Sequence, residues 1–332
     1  MEKYIPPFTI SNKMLQLVSS ISEKIGEIDS RDSLESKPHL RRNNRIKSIH
    51  SSLRIEANSL SLTQVRDVID GHNVLADRLE ILEVKNAYKA YEKIGDVNPY
   101  SLKDLKKLHG IMTAGIVDES GEFRHGEEGV FSGEKCIFVA PPPQMVPNLM
   151  NGLFDWMKES KDTVHPLILA AIFHYEFVFI HPFSDGNGRM ARLWHTILLA
   201  AWRDVFAFIP LENQIEKFQD EYYQAISQCH ANGNSNEFIE FILRQIDASL
   251  NDIIEQLKRT DTETSEYVRK ILAVMEYDLP YTSVSIMEML GLKSKETFRK
   301  NYMNPALEQG YVVMTIPDKP RSRNQRYVKK KN

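Results

Sequence analysis

A mainly α-helical chain, interrupted by one β-hairpin and ending in a small basic module of helices and strands, is the fold class that these 332 residues predict. Three observations carry it. Apolar residues recur at spacings of three and four over most of the chain up to about residue 258, as amphipathic helices require. Only the segment from Gly129 to Pro143 replaces that rhythm with short strand-like runs. Charge is also partitioned: residues 293–332 hold eleven Lys and Arg against three acids, a net +8, in a chain whose net charge is −3, so the remainder carries −11.

The elements follow in order. Leu60 to Tyr91 and Leu102 to Ala114 read as amphipathic helices. Val130-Phe131 and Cys136 to Ala140 read as two strands around the Ser132 to Lys135 turn, closed off by Pro141-Pro142-Pro143. A hairpin alone among helices needs something to cover or to bind. Thr260 to Ser265 is polar and aperiodic, and residues 259–265 are expected to form a linker. Beyond it come a helix from about Glu266, a second around Ser285 to Leu290, a turn at Gly291 to Lys293, and a third helix capped by Ser294 and stopping before Pro305. Tyr311 to Ile316 and Arg326 to Val328 then flank a basic tip. Three helices and a basic hairpin make a winged helix, a module that binds nucleic acid or protein. The expected divisions are a helical region 1–95, a core 96–258, the linker, and the winged helix 266–332.

Composition excludes several classes. Hydrophobic residues make up 42% and charged residues 26%, as in ordinary globular proteins. No run approaches the ~18 apolar residues of a membrane-spanning helix. The start, MEKYIPPFTI, lacks the basic and apolar regions of a secretory signal. Cys136 and Cys229 are far apart and without metal spacing, so neither a disulfide framework nor a zinc site is expected, and a cytoplasmic location is.

The chemically loaded stretch runs from His181 to Arg192, His-Pro-Phe-Ser-Asp-Gly-Asn-Gly-Arg-Met-Ala-Arg. A helix is expected after Asn187, with Met190, Leu193, Trp194, Ile197, Leu198 and Ala201 on one face. Arg189 and Arg192 then lie near the positive end of its dipole, where cations are unfavourable unless an anion offsets them. Gly186 and Gly188 leave backbone amides free to hold such an anion, as helix N-termini hold phosphates. Asp185 beside phosphate is a candidate Mg²⁺ ligand, and His181 a candidate general base. The string also satisfies a dinucleotide fingerprint, Gly186-x-Gly188-x-x-Ala191 after Phe177 to Ile180. No second strand-helix unit follows, so that reading fails on context.

At these residues the sequence resembles the Fic family, whose signature H-x-F-x-D/E-G-N-G-R-x-x-R is matched without a gap. The Gly129 to Pro143 hairpin resembles the family's flap, and Phe218 with Tyr222 to Ile226 resembles its nucleotide-side helix. The resemblance implies a Fic-type helical core, and transfer of AMP from ATP to a Ser, Thr or Tyr hydroxyl of a target protein. It implies His181 as base, Phe183 as loop anchor, Asp185 as Mg²⁺ ligand, and Gly186, Asn187, Gly188, Arg189, Arg192 and Tyr223 as the nucleotide and phosphate site. Val130, Phe131 and Phe138 of the flap are expected to hold the target.

Upstream, Ser52 and Glu56 lie one helical turn apart and share a face. Ser52 to Ala57 resembles the family's inhibitory motif S/T-x-x-x-E-G/N, with Ala57 in place of Gly or Asn. The resemblance implies that Glu56 pairs with Arg192. Competing readings are a DNA-binding regulator using the Fic fold as a ligand sensor, a different nucleotide donor, and removal of AMP from a modified protein. A homodimer is compatible with all of them.

Overall fold

The computed structural model describes residues 4–30, 38–132, 135–263, 265–320 and 322–330. It divides into two compact units, Met1–Ile25 with Asn43–Leu250, and Gly26–Arg42 with Asn251–Asn332. Helices run in the order α1 (Asn12–Ser30), α2 (Pro38–Ile55), α3 (Leu62–Ile69), α4 (Arg78–Tyr91) and α5 (Leu102–Met112). The hairpin β1 (Gly129–Ser132) and β2 (Lys135–Val139) follows, then α6 (Val146–Ser160), α7 (Pro166–Ile180), α8 (Asn187–Trp202), α9 (Leu211–Lys217), α10 (Gln219–Asn232) and α11 (Asn236–Glu263).

Local chemistry sets these boundaries. Ser61 and Gln64 form a reciprocal capping box at the start of α3, and Asp77 and Ser101 cap α4 and α5 with their side chains. Pro166 occupies the first turn of α7, where a missing N–H costs nothing. The unbroken run from Leu167 to Phe177 is buried on every side, so α7 is the central helix of its unit. Its principal packing partner is α8, which follows it after a six-residue loop, 181–186. The two helices therefore fix both ends of that loop. Phe177 to Ile180 are helical, which removes the strand that a dinucleotide fingerprint requires.

β1 and β2 pair antiparallel with Gly129 opposite Val139 and Ser132 opposite Lys135, and the register shifts between Val130 and Phe131. The side chains of residues 130–138, including Val130, Phe131 and Phe138, lie outside the described residues.

The C-terminal part has its own apolar core, in which Val268, Ile271, Ile286, Phe298, Met303 and Val312 are prominent. It is built from α12 (Glu266–Val274), β3 (Pro280–Tyr281), α13 (Ser283–Met289), α14 (Lys295–Thr297), a π-turn at Phe298–Met303, α15 (Asn304–Glu308), β4 (Val312–Met314) and β5 (Tyr327–Lys329). The strands form one antiparallel sheet in the order β3-β5-β4. Ser294 caps α14 as expected, its Oγ accepting from the Thr297 N–H at 3.2 Å.

Two expectations are corrected. Residues 259–263 are not a break in secondary structure, because α11 continues through Glu263. The stretch contains no Gly or Pro to stop it. The third helix of the module does not end before Pro305 either. The π-turn resets the hydrogen-bond ladder, so Pro305 falls in the first turn of α15, where it is tolerated. Among the described residues no helix is long and apolar enough to cross a membrane.

Candidate active site

The loop between α7 and α8 is shaped by two unusual backbone positions. His181 ends α7 in the left-handed region, at φ 50° and ψ 60°, with its N–H donating to the Phe177 carbonyl at 3.0 Å. Gly186 precedes α8 at φ 79°, and a Cβ there would press on Thr113 and His109. Between them Phe183 is fully buried and stacks on the His109 ring, with centroids 3.6 Å apart and planes 7° apart. Asn187 has a structural role that the sequence did not indicate. Its side chain closes the loop, Oδ1 accepting from the Phe183 N–H at 3.0 Å and Nδ2 donating to the Phe183 carbonyl at 2.7 Å. Both polar ends thus take part in shaping the loop.

Two residues that sequence reasoning missed hold this loop from outside. Arg124 is buried and donates from Nε to the His181 carbonyl at 2.6 Å, from Nη1 to Gly126 at 2.8 Å and from Nη2 to Pro141 at 2.5 Å. One side chain thus joins the base of the hairpin to the peptide of the candidate base. His109 accepts the Gly121 N–H on Nδ1 and donates from Nε2 to the Asp185 carbonyl, both at 2.9 Å. That pairing requires the neutral ring, and burial pushes the His109 pKa down to about 4.

His181 is half-buried. Burial lowers its pKa below the ordinary imidazole value, and the nearby Arg124 charge adds to the effect. The imidazole is therefore neutral at pH 7 and able to accept a proton.

The α8 N-terminus gathers the charges. Arg192 is buried and donates from Nε to Ser52 Oγ at 3.0 Å, and from Nη2 to the Ser52 carbonyl at 2.9 Å and to Glu56 Oε1 at 2.7 Å. Ser52 and Glu56 thus meet Arg192 together, and the ion pair runs through a single carboxylate oxygen. The Glu56 carboxylate also lies against Gly188, where any Cβ would collide with it. An internal carboxylate occupies the position, over the N-terminal amides of α8, that favours an anion. Ala57, which departs from the expected Gly or Asn, adopts φ 68°, the conformation for which Gly or Asn is preferred.

Around Arg192 lies a buried shell that the sequence pattern did not reveal. Tyr222 is fully enclosed, within hydrogen-bond reach of the His174 ring at 3.1 Å, and Tyr91 donates to Glu212 at 2.8 Å. Burial raises the pKa of Glu212, and it raises that of Tyr222 against the opposing Arg192 charge. Tyr223 is half-exposed, edge-on to Tyr222.

Arg189 donates to Asp185 Oδ2 at 2.8 Å and to Glu83 at 2.9 Å. Asp185 also accepts the Gly186 N–H at 2.5 Å. Among the described residues no three His, Cys, Asp or Glu side chains cluster as a metal cage. The Asp185 carboxylate, 45% exposed but bonded through Oδ2 to Arg189 and through Oδ1 to the Gly186 N–H, is the group that could hold Mg²⁺, which is commonly bound by one or two carboxylates with waters and substrate phosphates completing the shell.

A reachable neutral imidazole, two buried guanidinium groups and a helix N-terminus define an anion-handling site of the kind that phosphoryl and nucleotidyl transfer needs. The chain belongs to the Fic family. Residues 99–199 match the model of the Fic/DOC family, and residues 266–328 match that of the Filamentation induced by cAMP protein Fic-like, C-terminal domain. A crystal structure of a Fic family protein from Desulfovibrio desulfuricans G20 is 39% identical with a TM-score of 0.75, and the match covers 99% of each chain. Protein adenylyltransferase Fic of Nematostella vectensis is 31% identical over 59% of this chain and 45% of its own length. Protein adenylyltransferase fic-1 of Caenorhabditis elegans is 25% identical over 75% of this chain and 48% of its own length. The chain thus spans less than half the length of these curated relatives.

Proposed function

We propose that this protein transfers AMP from ATP to a Ser, Thr or Tyr hydroxyl of a target protein, and that Glu56 holds the reaction in check. The observation that carries this reading is the Glu56 carboxylate lodged between Arg192 and Gly188. A site built for an anion is filled by the chain's own. The relatives named protein adenylyltransferase support the same reaction class.

In this reading neutral His181 takes the proton of the incoming hydroxyl. The oxygen attacks the α-phosphorus, the bond from that phosphorus to the bridging oxygen breaks, and pyrophosphate leaves with the bonding electrons. Arg189 and Arg192 balance the charge on the departing phosphates, and the amides of Gly186, Asn187 and Gly188 hold phosphate oxygens. Mg²⁺, held through Asp185, neutralises phosphate charge when bound. Tyr223 faces the nucleotide base, and the backbone of β1 and β2 aligns the target segment by strand pairing, with Val130, Phe131 and Phe138 as apolar contacts. With Glu56 seated, Arg192 cannot also clamp the γ-phosphate, and misalignment of about 1 Å can cost on the order of 10²-fold in rate.

A second reading concerns the C-terminal module and is compatible with the first. A winged-helix reading is supported by the strand order β3-β5-β4, with α12 before β3 and α13, α14 and α15 between β3 and β4, and by Lys293, Lys295, Arg299 and Lys300, which are exposed from just before α14 into the π-turn. We infer that this face engages duplex nucleic acid. The wing is pre-ordered for such contact by buried Gln325, which bonds both polar groups of the Ile316 backbone at 2.9 and 2.8 Å.

The test of the main reading uses ATP labelled in turn on the α- and the γ-phosphate, incubated with Glu56→Gly protein and Mg²⁺. Label reaching protein from the α position alone is the expected result. Label from the γ position would mean phosphorylation and defeat the reading.

A further inference from the structure

Glu56 is not the only carboxylate from the N-terminal helices that holds a signature arginine. Arg189, 4% exposed, donates from Nη1 to Glu83 Oε1 at 2.9 Å, and Glu83, on α4, is itself only 17% exposed. The other oxygen of Glu83 accepts from Asn58 Nδ2 at 2.8 Å. Asn58 is buried and lies two residues beyond Glu56, just past the left-handed Ala57 that ends the inhibitory helix. Its Oδ1 accepts the Leu60 N–H at 3.1 Å, so the amide is fixed at both ends. Glu83 thus has one oxygen on Arg189 and the other on the chain that leaves Glu56.

We propose that Glu83 is a second regulatory carboxylate, which withholds Arg189 from the triphosphate and is held in that position by Asn58. The proposal rests on reading the loop as a nucleotide site. Arg189 also bonds Asp185, so one guanidinium charge faces two carboxylates. A polyphosphate approaching that group meets net negative charge and must displace an existing charge-assisted bond before it can gain its own. Arg192 is matched by Glu56 in the same manner. The contrary arrangement is a Glu83 that steers Arg189 toward the phosphates, and it gives the opposite sign in a binding experiment.

The experiment is calorimetric titration of the full chain with α,β-methylene-ATP and Mg²⁺, an analogue that cannot release AMP, so binding is read apart from transfer. Glu83→Gln keeps an acceptor for Asn58 while removing the charge, and is expected to bind the analogue about tenfold more tightly than wild type. Adding Glu83→Gln to Arg189→Ala is expected to change affinity less than about twofold, because the effect acts through Arg189. Asn58→Ala is expected to tighten binding by a smaller factor in wild type and to have no effect once Glu83→Gln is present. Unchanged or weaker binding by Glu83→Gln overturns the proposal. So does an equal gain in the Arg189→Ala background, which would mean a general field effect. Unchanged affinity in Asn58→Ala removes Asn58 from it. Failure of every variant to bind the analogue would defeat the nucleotide reading as well.

Discussion

The α7–α8 loop and the C-terminal module are both rich in cations, and they dispose of them in opposite ways. Around the loop Arg124, Arg189 and Arg192 are buried, and each is bonded to named carbonyls or carboxylates. In the module Lys293, Lys295, Arg299, Lys300, Lys319 and Arg323 stand exposed. Among the described residues Lys329 is buried, with Nζ donating to the Leu272 carbonyl at 2.7 Å and lying 4.2 Å from the Tyr277 ring, and Arg326 is half-buried. Buried charge is costly to keep and is fixed in geometry, which suits a small anion bound in one orientation. Exposed charge is screened by salt and tolerant of register, which suits a long polyanion. Salt should therefore separate the two regions. Transfer by the released enzyme should change little between about 50 and 200 mM salt, whereas duplex binding by the module should fall steeply.

Removing the base is the most damaging change on the loop side. His181→Ala should lower transfer by roughly 10³-fold while analogue affinity stays within a factor of two, because the imidazole acts on the hydroxyl and not on the nucleotide. Comparable turnover under saturating ATP would take His181 out of the mechanism. In wild-type histidine the low pKa places the acid limb of the rate profile below pH 6.5, with a plateau through neutrality. A limb above pH 7 would contradict the burial argument.

Arg124→Lys removes the fork that joins the hairpin base to the His181 carbonyl but keeps the charge. A kcat reduced on the order of 10²-fold with little change in KM for ATP is expected. Equal losses in both constants would make Arg124 a support of the fold as a whole.

A third prediction concerns stability. Glu176 lies on α7, five residues before His181, and accepts a hydrogen bond from Tyr4; burial raises its pKa to about 7. The folded state therefore retains a proton that the unfolded chain has released, and the contribution of Glu176 to stability falls as pH rises from about 4.5 to about 7, then levels off. The loss amounts to at most about 3 kcal/mol. His109 and His195, held near 4 and 3 by burial, work in the other direction, costing stability as pH falls below 6.5. Because the two histidines outweigh Glu176 below pH 6.5, Glu176→Gln should steepen the rise of stability with pH between about 4.5 and 6.5 in urea melts. An unchanged slope in the variant would remove Glu176 from the pH dependence.

On the module side, replacing Lys295, Arg299 and Lys300 together by Ala should weaken duplex binding about tenfold at 0.15 M salt and flatten its salt dependence by about three phosphate contacts. Duplex binding unaffected by the triple replacement would leave the exposed cations as solubilising charge and erase half of the comparison.

The loop itself was legible in the sequence because its chemistry is local. His181, Asp185, Gly186, Gly188, Arg189 and Arg192 fall within twelve residues, and the helix that follows announces where each side chain points. The Ser52 and Glu56 pair was legible for the same reason. Arg124, His109 and Glu83 were not, because they reach the loop across 57, 76 and 106 residues, and each stands alone in its own segment. Spacing rules describe one element, whereas these contacts depend on which elements pack together. The loop-closing bonds of Asn187 were not legible either, because a polar side chain in such a loop gives no sign in the sequence that the turn at Phe183 uses its donor and its acceptor. In the module, two-residue β3 is too short to show any alternation, and the π-turn that lets Pro305 enter a helix has no signature in composition.

The central claim is that Glu56 restrains transfer by occupying Arg192, and the most direct measurement compares initial rates of label transfer from α-labelled ATP by wild type, Glu56→Gly, and Glu56→Gly with Arg192→Ala. The expected result is a gain of at least about 10²-fold for the single variant and loss of that gain in the double variant. Equal rates for wild type and Glu56→Gly on a target that wild type modifies, or a gain that persists without Arg192, would contradict the account.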